Sequence, residues 1–309
     1  KGVQLSKRLV EEDKVFAIVG AQGSASNAAA KDYLVEQGIP VLLPGTGLKQ
    51  FVEPTIENWM GTAMMQYSVE ANILLDYSVN ELGAKKIALA YQNDDLGKEM
   101  YNAIKQSVEN YPDVEVVAEV SFLPTDTEFS SQAQKIEQAN PDTVFNFGTT
   151  NPAVNLKKAL YKIGFDEANY IVSSAAALDT AVFELAGKDV WEGTYSGDRL
   201  KNLSNAASDE SLQLFIDRFK EDYPNESVSS IAQTGWGIAQ VFVEALKRTE
   251  GDLNWKNFLE SFHTFDKWDG SMFAGITFTP DNHYGVTSMY LTQATDGQIL
   301  PITEPISFD

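Results

Sequence analysis

The residues best placed to hold a ligand lie between Val15 and Gly47, in VFAIVGAQGSASNAAAKDYLVEQGIPVLLPGTG. Gln22, Ser24, Gly45, Thr46 and Gly47 sit in two short loops, each following an apolar, β-branched run. The chemistry they offer is hydrogen bonding. Ser and Thr hydroxyls and loop N–H groups donate to a carboxylate, and loop carbonyls accept from an ammonium. Glycines allow a ligand close to the backbone. Ser24 and Ser26 are expected just before a helix, whose free N–H groups and dipole favour an anion. Such a loop pair suits a small anionic head group better than a nucleophile. The alternative reading is that these are ordinary capping and turn residues.

Other chemistry finds little support. GAQGSAS is not a G-x-S-x-G elbow, and no Gly-Lys-Ser/Thr follows Gly45-Thr46-Gly47 to make a phosphate loop. His263 and His283, the two histidines, stand twenty apart without H-E-x-x-H spacing, and there is no cysteine, so no metal site is expected. Asp94 and Asp95 could form an acid pair, but they follow a strand and are expected to cap the next helix. Trp236, Trp255 and Trp268 are expected to pack in the core rather than cage a ligand. No enzyme activity and no cofactor is predicted.

The elements that position the loops alternate along the chain. Strands are predicted at Val15–Val19, Ile39–Leu43, Lys86–Tyr91, Val114–Val120, Thr143–Phe147, Tyr170–Ser173 and Gly193–Ser196. Helices are predicted near Ser26–Glu36, Tyr67–Leu82, Leu96–Tyr111, Phe129–Ala139, Pro152–Ile163, Ser211–Tyr223 and Thr234–Arg248, with Thr125-Asp126-Thr127 offering caps to the fourth. Strand–helix alternation implies parallel α/β layers, with ligands bound beyond the carboxyl ends of the strands. From Ser271 the chain is strand-rich, and Asp296-Gly297 marks a hairpin turn. The 309 residues suffice for two lobes. Against 23 basic residues stand 44 acidic ones, a net charge of -21 that disfavours nucleic acid. No apolar run reaches the ~20 residues of a membrane helix.

Four segments carry a family resemblance: VFAIVGAQGSAS with IPVLLPGTG; LGAKKIALAYQNDDLGKEM; LPTDTEFSSQAQKIEQANPDTVFNFG; and ITFTPDNHYGVTSMYLTQATDGQIL. In order and spacing they resemble type I periplasmic solute-binding proteins of the leucine/isoleucine/valine-binding branch, which serve ABC transporters. The resemblance implies a two-lobe α/β fold with parallel sheets flanked by helices and a hinge. The expected lobes are 1–93 plus 251–290, and 94–250 plus 291–309. It further implies an extracytoplasmic protein, periplasmic or lipid-anchored. Such a protein captures a small amino acid between the lobes by hinge closure and delivers it to a membrane permease.

By that resemblance Ser24, Gly45, Thr46 and Gly47 hold the α-carboxylate and α-amino groups. Thr149 and Asn151 take the matching tip position in the second lobe. Ser174 is a further candidate, with Tyr195 and Gln233 behind it. The family starts with an additional strand, helix and strand before the helix that here would be Val3–Glu12, and that segment is expected upstream of Lys1, cleaved off, or from another chain. The alternative functions are a ligand-sensing domain of a receptor or regulator, and a binding protein for amides or for aromatic or small carboxylic acids.

Overall fold

The computed structural model describes residues 1–177 and 179–307. They form two compact units: residues 1–66 with 199–289 in the first, and 67–198 with 290–306 in the second.

The first unit opens with α1 (Gly2–Glu11), β1 (Ile18–Val19), α2 (Ser24–Gln37), β2 (Val41–Leu42) and β3 (Trp59–Met60). The three strands pair in parallel in the order β1-β2-β3. Helix α2 is rich in alanine and buries only Asn27, Ala30 and Leu34. It ends at Gly38, whose left-handed conformation closes the helix. None of the α1 residues is fully buried.

The chain then builds the second unit. In order come α3 (Tyr67–Asn80), β4 (Lys86–Gln92), α4 (Asp95–Ser107), β5 (Glu115–Phe122), α5 (Ser130–Ala139) and β6 (Thr143–Phe147). There follow α6 (Thr150–Lys162), β7 (Asn169–Val172), α7 (Ala181–Ala186), α8 (Lys188–Trp191) and β8 (Tyr195–Asp198). Strands β4 to β8 pair in parallel in the spatial order β8-β7-β6-β4-β5. Strand β6 is buried at every residue because helices cover both faces of such a sheet. Asp94 caps α4 through Gly97 N–H, as expected. The 125–127 caps do not form: Asp126 accepts from Leu123 N–H in a turn, and α5 starts after Phe129.

The first unit resumes with α9 (Glu210–Asp222), α10 (Ser230–Arg248), α11 (Trp255–Phe262), β9 (Ile276–Thr279) and β10 (Asn282–Val286). Ile238, Val241, Phe258, Phe262, Phe273 and Phe278 share one core with Leu42 and Met60 of the small sheet. Finally β11 (Ser288–Thr295) and β12 (Gln298–Pro301) extend the large sheet antiparallel beside β8. Asp296 and Gly297, both at positive φ, make the predicted two-residue hairpin turn.

The unit boundaries differ from those expected. Residues 67–93 fall in the second unit, because β4 pairs on both sides, with β5 and β6, and α3 packs on α4. Helices α9 and α10 fall in the first unit, because α10 shares its core with α11. Periodicity names a helix but not the sheet it covers, and that is where the sequence-based division failed.

Candidate ligand-binding site

In the first unit the two loops are bonded to each other. Pairing of β1 with β2 continues past the strand ends: Gly20 N–H donates to Leu42 O (2.9 Å), Gly45 N–H to Ala21 O (2.9 Å) and Gly23 N–H to Gly45 O (3.2 Å). Gln22 and Gly45 form a parallel bridge. A β-carbon at Gly45 would lie 1.9 Å from the Gln22 carboxamide oxygen, so a side chain there would displace the exposed Gln22 side chain from the loop pair. Leu43 turns the chain out of β2 with φ +44°, a left-handed conformation that costs a leucine about 1–2 kcal/mol. Strain of this kind is found where surrounding structure fixes a loop for binding.

Helix α2 begins inside the first loop. Gly23, at φ 98°, is its N-cap and brings no side-chain acceptor. Ser24 and Ser26 therefore lie within the first turn and not ahead of it, correcting the sequence expectation. The Ser26 hydroxyl donates back to the carbonyls of Gln22 and Gly23 (2.8 and 3.0 Å). Asn27, buried one position later, donates through Nδ2 to Ala21 O and Gly23 O (2.9 Å each) and so clamps the loop. The first-turn N–H groups have no acceptor within the helix, and that turn carries no acidic residue.

The key pair is Ser24 and Thr46, whose hydroxyls lie 2.8 Å apart. Thr46 is fully buried, and its Oγ1 also accepts from Leu48 N–H (3.2 Å). By distance either hydroxyl can donate; the full burial of Thr46, whose proton has Ser24 Oγ as its acceptor, favours Thr46 as the donor. The Ser24 proton is then left to donate outward, beside the free N–H groups of α2. Ser24 is half-buried. Thr46 N–H donates to Pro44 O (2.9 Å), so this threonine acts by orienting Ser24. Gly47 is buried beside it.

The corresponding tip of the second unit is wired differently. Thr149 is the N-cap of α6, but its N–H (3.3 Å) and hydroxyl (3.0 Å) both donate to Gln92 Oε1 at the end of β4. Gln92 Nε2 in turn donates to Asp94 (2.5 Å). Asn151 is exposed in the first turn of α6. Ser174 is buried, with its N–H (2.5 Å) and hydroxyl (2.8 Å) donating to the two carboxylate oxygens of Glu70, itself fully buried on α3. Tyr195 is half-buried on β8 beside Tyr77, with ring centroids 6.2 Å apart. Gln233 belongs to the first unit, where Nε2 donates to Lys201 O (2.7 Å).

The whole pattern of elements matches a known one. The profile described as "Periplasmic binding protein" covers residues 1–298. The chain belongs to that family. Its fold is that of the type I periplasmic binding proteins. The chain superposes on a branched-chain amino acid ABC transporter protein from Thermus thermophilus with bound valine at TM-score 0.86 and 18% identity, covering 99% of this chain and 81% of that one. For the branched-chain amino acid transporter substrate-binding protein LivJ of Streptococcus pneumoniae, in complex with isoleucine, the values are 0.80, 19%, 99% and 84%. An amino acid binding protein of Pseudomonas aeruginosa is 28% identical over 152 residues, 49% of this chain and 40% of that protein. A Leu/Ile/Val-binding protein homolog of Brucella melitensis is 21% identical over 69% of this chain and 56% of its own length. The matches thus span about half the length of these curated relatives.

Within this binding-protein fold, sequence reasoning named Gln22, Ser24, Thr46 and the glycines but missed three supports. Asn27 could have been found as a polar residue on the inward face of an alanine-rich helix. Gln92, polar at the end of a buried strand, carried a similar signal. Leu43 carried none, since a leucine at positive φ is set by its surroundings.

Proposed function

We propose that this chain is an extracytoplasmic binding protein, periplasmic or lipid-anchored, that captures a small amino acid, branched-chain or related, for delivery to a membrane ABC permease. The loop pair of the first unit is its carboxylate seat. Ser24 donates its hydroxyl to the ligand carboxylate, aided by the N–H groups of the first α2 turn, and loop carbonyls around Gly45 and Gly47 take the ammonium. Thr46 and Asn27 hold the geometry. The observation that carries this reading is the Ser24–Thr46–Leu48 hydrogen-bond chain at a helix N-terminus, in which donation from the buried Thr46 leaves the Ser24 proton for a ligand. The nature of the named relatives supports the amino-acid class.

Calorimetry of the chain against amino acids, their amides and small carboxylates tests the proposal. An α-amino acid is expected to bind, and its carboxamide analogue to bind at least tenfold more weakly. Equal affinity for acid and amide would remove the carboxylate seat. Binding of a sugar without response to any amino acid or small carboxylate would remove the ligand class.

A further inference from the structure

His263 and His283 are distant in sequence, but the fold brings them tip to tip. Their Nε2 atoms are 3.2 Å apart. His263 is the C-cap of α11 and is half-buried; His283 lies on β10 and is 2% exposed. Both belong to the first unit. His283 Nδ1 faces two backbone carbonyls, Ile56 O and Trp59 O, at 3.0 Å each. Carbonyls only accept, so Nδ1 carries the proton and Nε2 of His283 presents a lone pair. The ring centroids are 5.4 Å apart. That separation places the ring tips head to head, with the His263 Nε2 proton shared between them.

We propose that this pair is a clip for a late first-row divalent cation, Cu2+, Ni2+ or Zn2+, which replaces the shared proton. Two nitrogens 3.2 Å apart, each about 2.0–2.1 Å from one ion, subtend about 100° there, within the range of tetrahedral and square arrangements. An ion there lies off the axes of both head-to-head rings, so binding moves the neutral His263 proton to Nδ1 and requires both rings to tilt, the larger share falling to His263, half-buried at a helix end. His283 already has the outer-shell arrangement of a metal ligand, its far N–H held by backbone carbonyls. The ion would sit near the negative end of α11, one turn from Glu260, both of which favour a cation. Water completes the coordination. The clip joins the end of α11 to β10 and, through the carbonyls, to the 56–59 segment. It is independent of the amino-acid reading.

The chain has two histidines and no cysteine, which makes the test clean. Tag-free protein is titrated calorimetrically with Zn2+ and Ni2+ at neutral pH, with Mg2+ as the control for general attraction to the acidic surface. One ion per chain is expected, in the order of imidazole preference, with His263→Ala and His283→Gln each weakening it at least tenfold. Electron paramagnetic resonance of the Cu2+ form is expected to show coupling to two nitrogens. Circular dichroism checks folding, and if His283→Gln does not fold, His263→Ala decides. Zn2+ or Ni2+ binding no tighter than Mg2+, unchanged binding in folded His263→Ala, or a Cu2+ spectrum without nitrogen coupling would overturn the proposal and leave the pair a hydrogen bond only.

Discussion

The two units present strand-end loops of similar composition, GSAS and PGTG in the first and GTTN and SSAA in the second, yet treat their hydroxyls oppositely. In the first, the buried Thr46 accepts from Leu48 N–H and pairs with Ser24, and with Thr46 as the donor the Ser24 proton is left outward. In the second, Thr149 donates inward to Gln92, and Ser174 gives both its donors to Glu70. A hydroxyl at a strand tip is therefore not by itself a ligand donor. What matters is whether a neighbour already claims its proton. Hydroxyls whose bonds are satisfied within the fold stabilise it, and one with an unclaimed proton is available for binding.

Substitutions can break this comparison. The largest effect is expected from Glu70→Ala, which strands two buried donors of Ser174. Chemical denaturation should show a loss of about 2–4 kcal/mol. A change under about 0.5 kcal/mol would mean that Ser174 is not structural. Ser24→Ala comes next. It is expected to weaken amino-acid binding by about 1.5–3 kcal/mol, the range for hydrogen bonds to charged groups, with folding nearly unchanged. Normal affinity in this variant would place the carboxylate elsewhere.

Two milder variants sharpen the contrast. Thr46→Val removes the relay but keeps the volume, so affinity should fall less than in Ser24→Ala, by about 1 kcal/mol. Thr46→Ser should restore it. Thr149→Ala should cost about 0.5–1.5 kcal/mol of stability and leave carboxylate discrimination, read as the acid-to-amide ratio, as it was. If instead it collapses that ratio, the second tip also binds the head group.

A last expected signal concerns pH. Lys157, on α6, lies under Tyr170 and Trp191 and donates to Trp191 O (3.3 Å), Glu192 O (3.1 Å) and Thr194 Oγ1. Burial pulls its pKa down to about 7, with the Glu192 charge opposing that shift. The unfolded lysine keeps its proton to about pH 10. Between those values the unfolded chain binds more protons, so this lysine makes stability rise as pH increases from about 7 to 10. Below that window the cost of a buried ammonium is fully present. Thermal melts across it should rise less steeply in Lys157→Met; equal slopes would assign the rise to other groups.

Much of this molecule is legible in its residues. Apolar runs bounded by turn residues place β4, β6 and the Asp296-Gly297 hairpin, because strand and turn preferences act over a few neighbouring residues. The alternation of strands and helices implies parallel layers, and hence the edge on which Ser24, Gly45 and Thr46 stand together. Contacts between distant segments were decided only by the tertiary structure. It assigned α3 and β4 to the large sheet and α10 to the aromatic core of the first unit. It also joined Thr149 to Gln92, Ser174 to Glu70, and His263 to His283. A side chain's type fixes how many protons it can give or take. Which partner takes them depends on long-range packing, and that separates the hydroxyl left to bind from those that hold the fold.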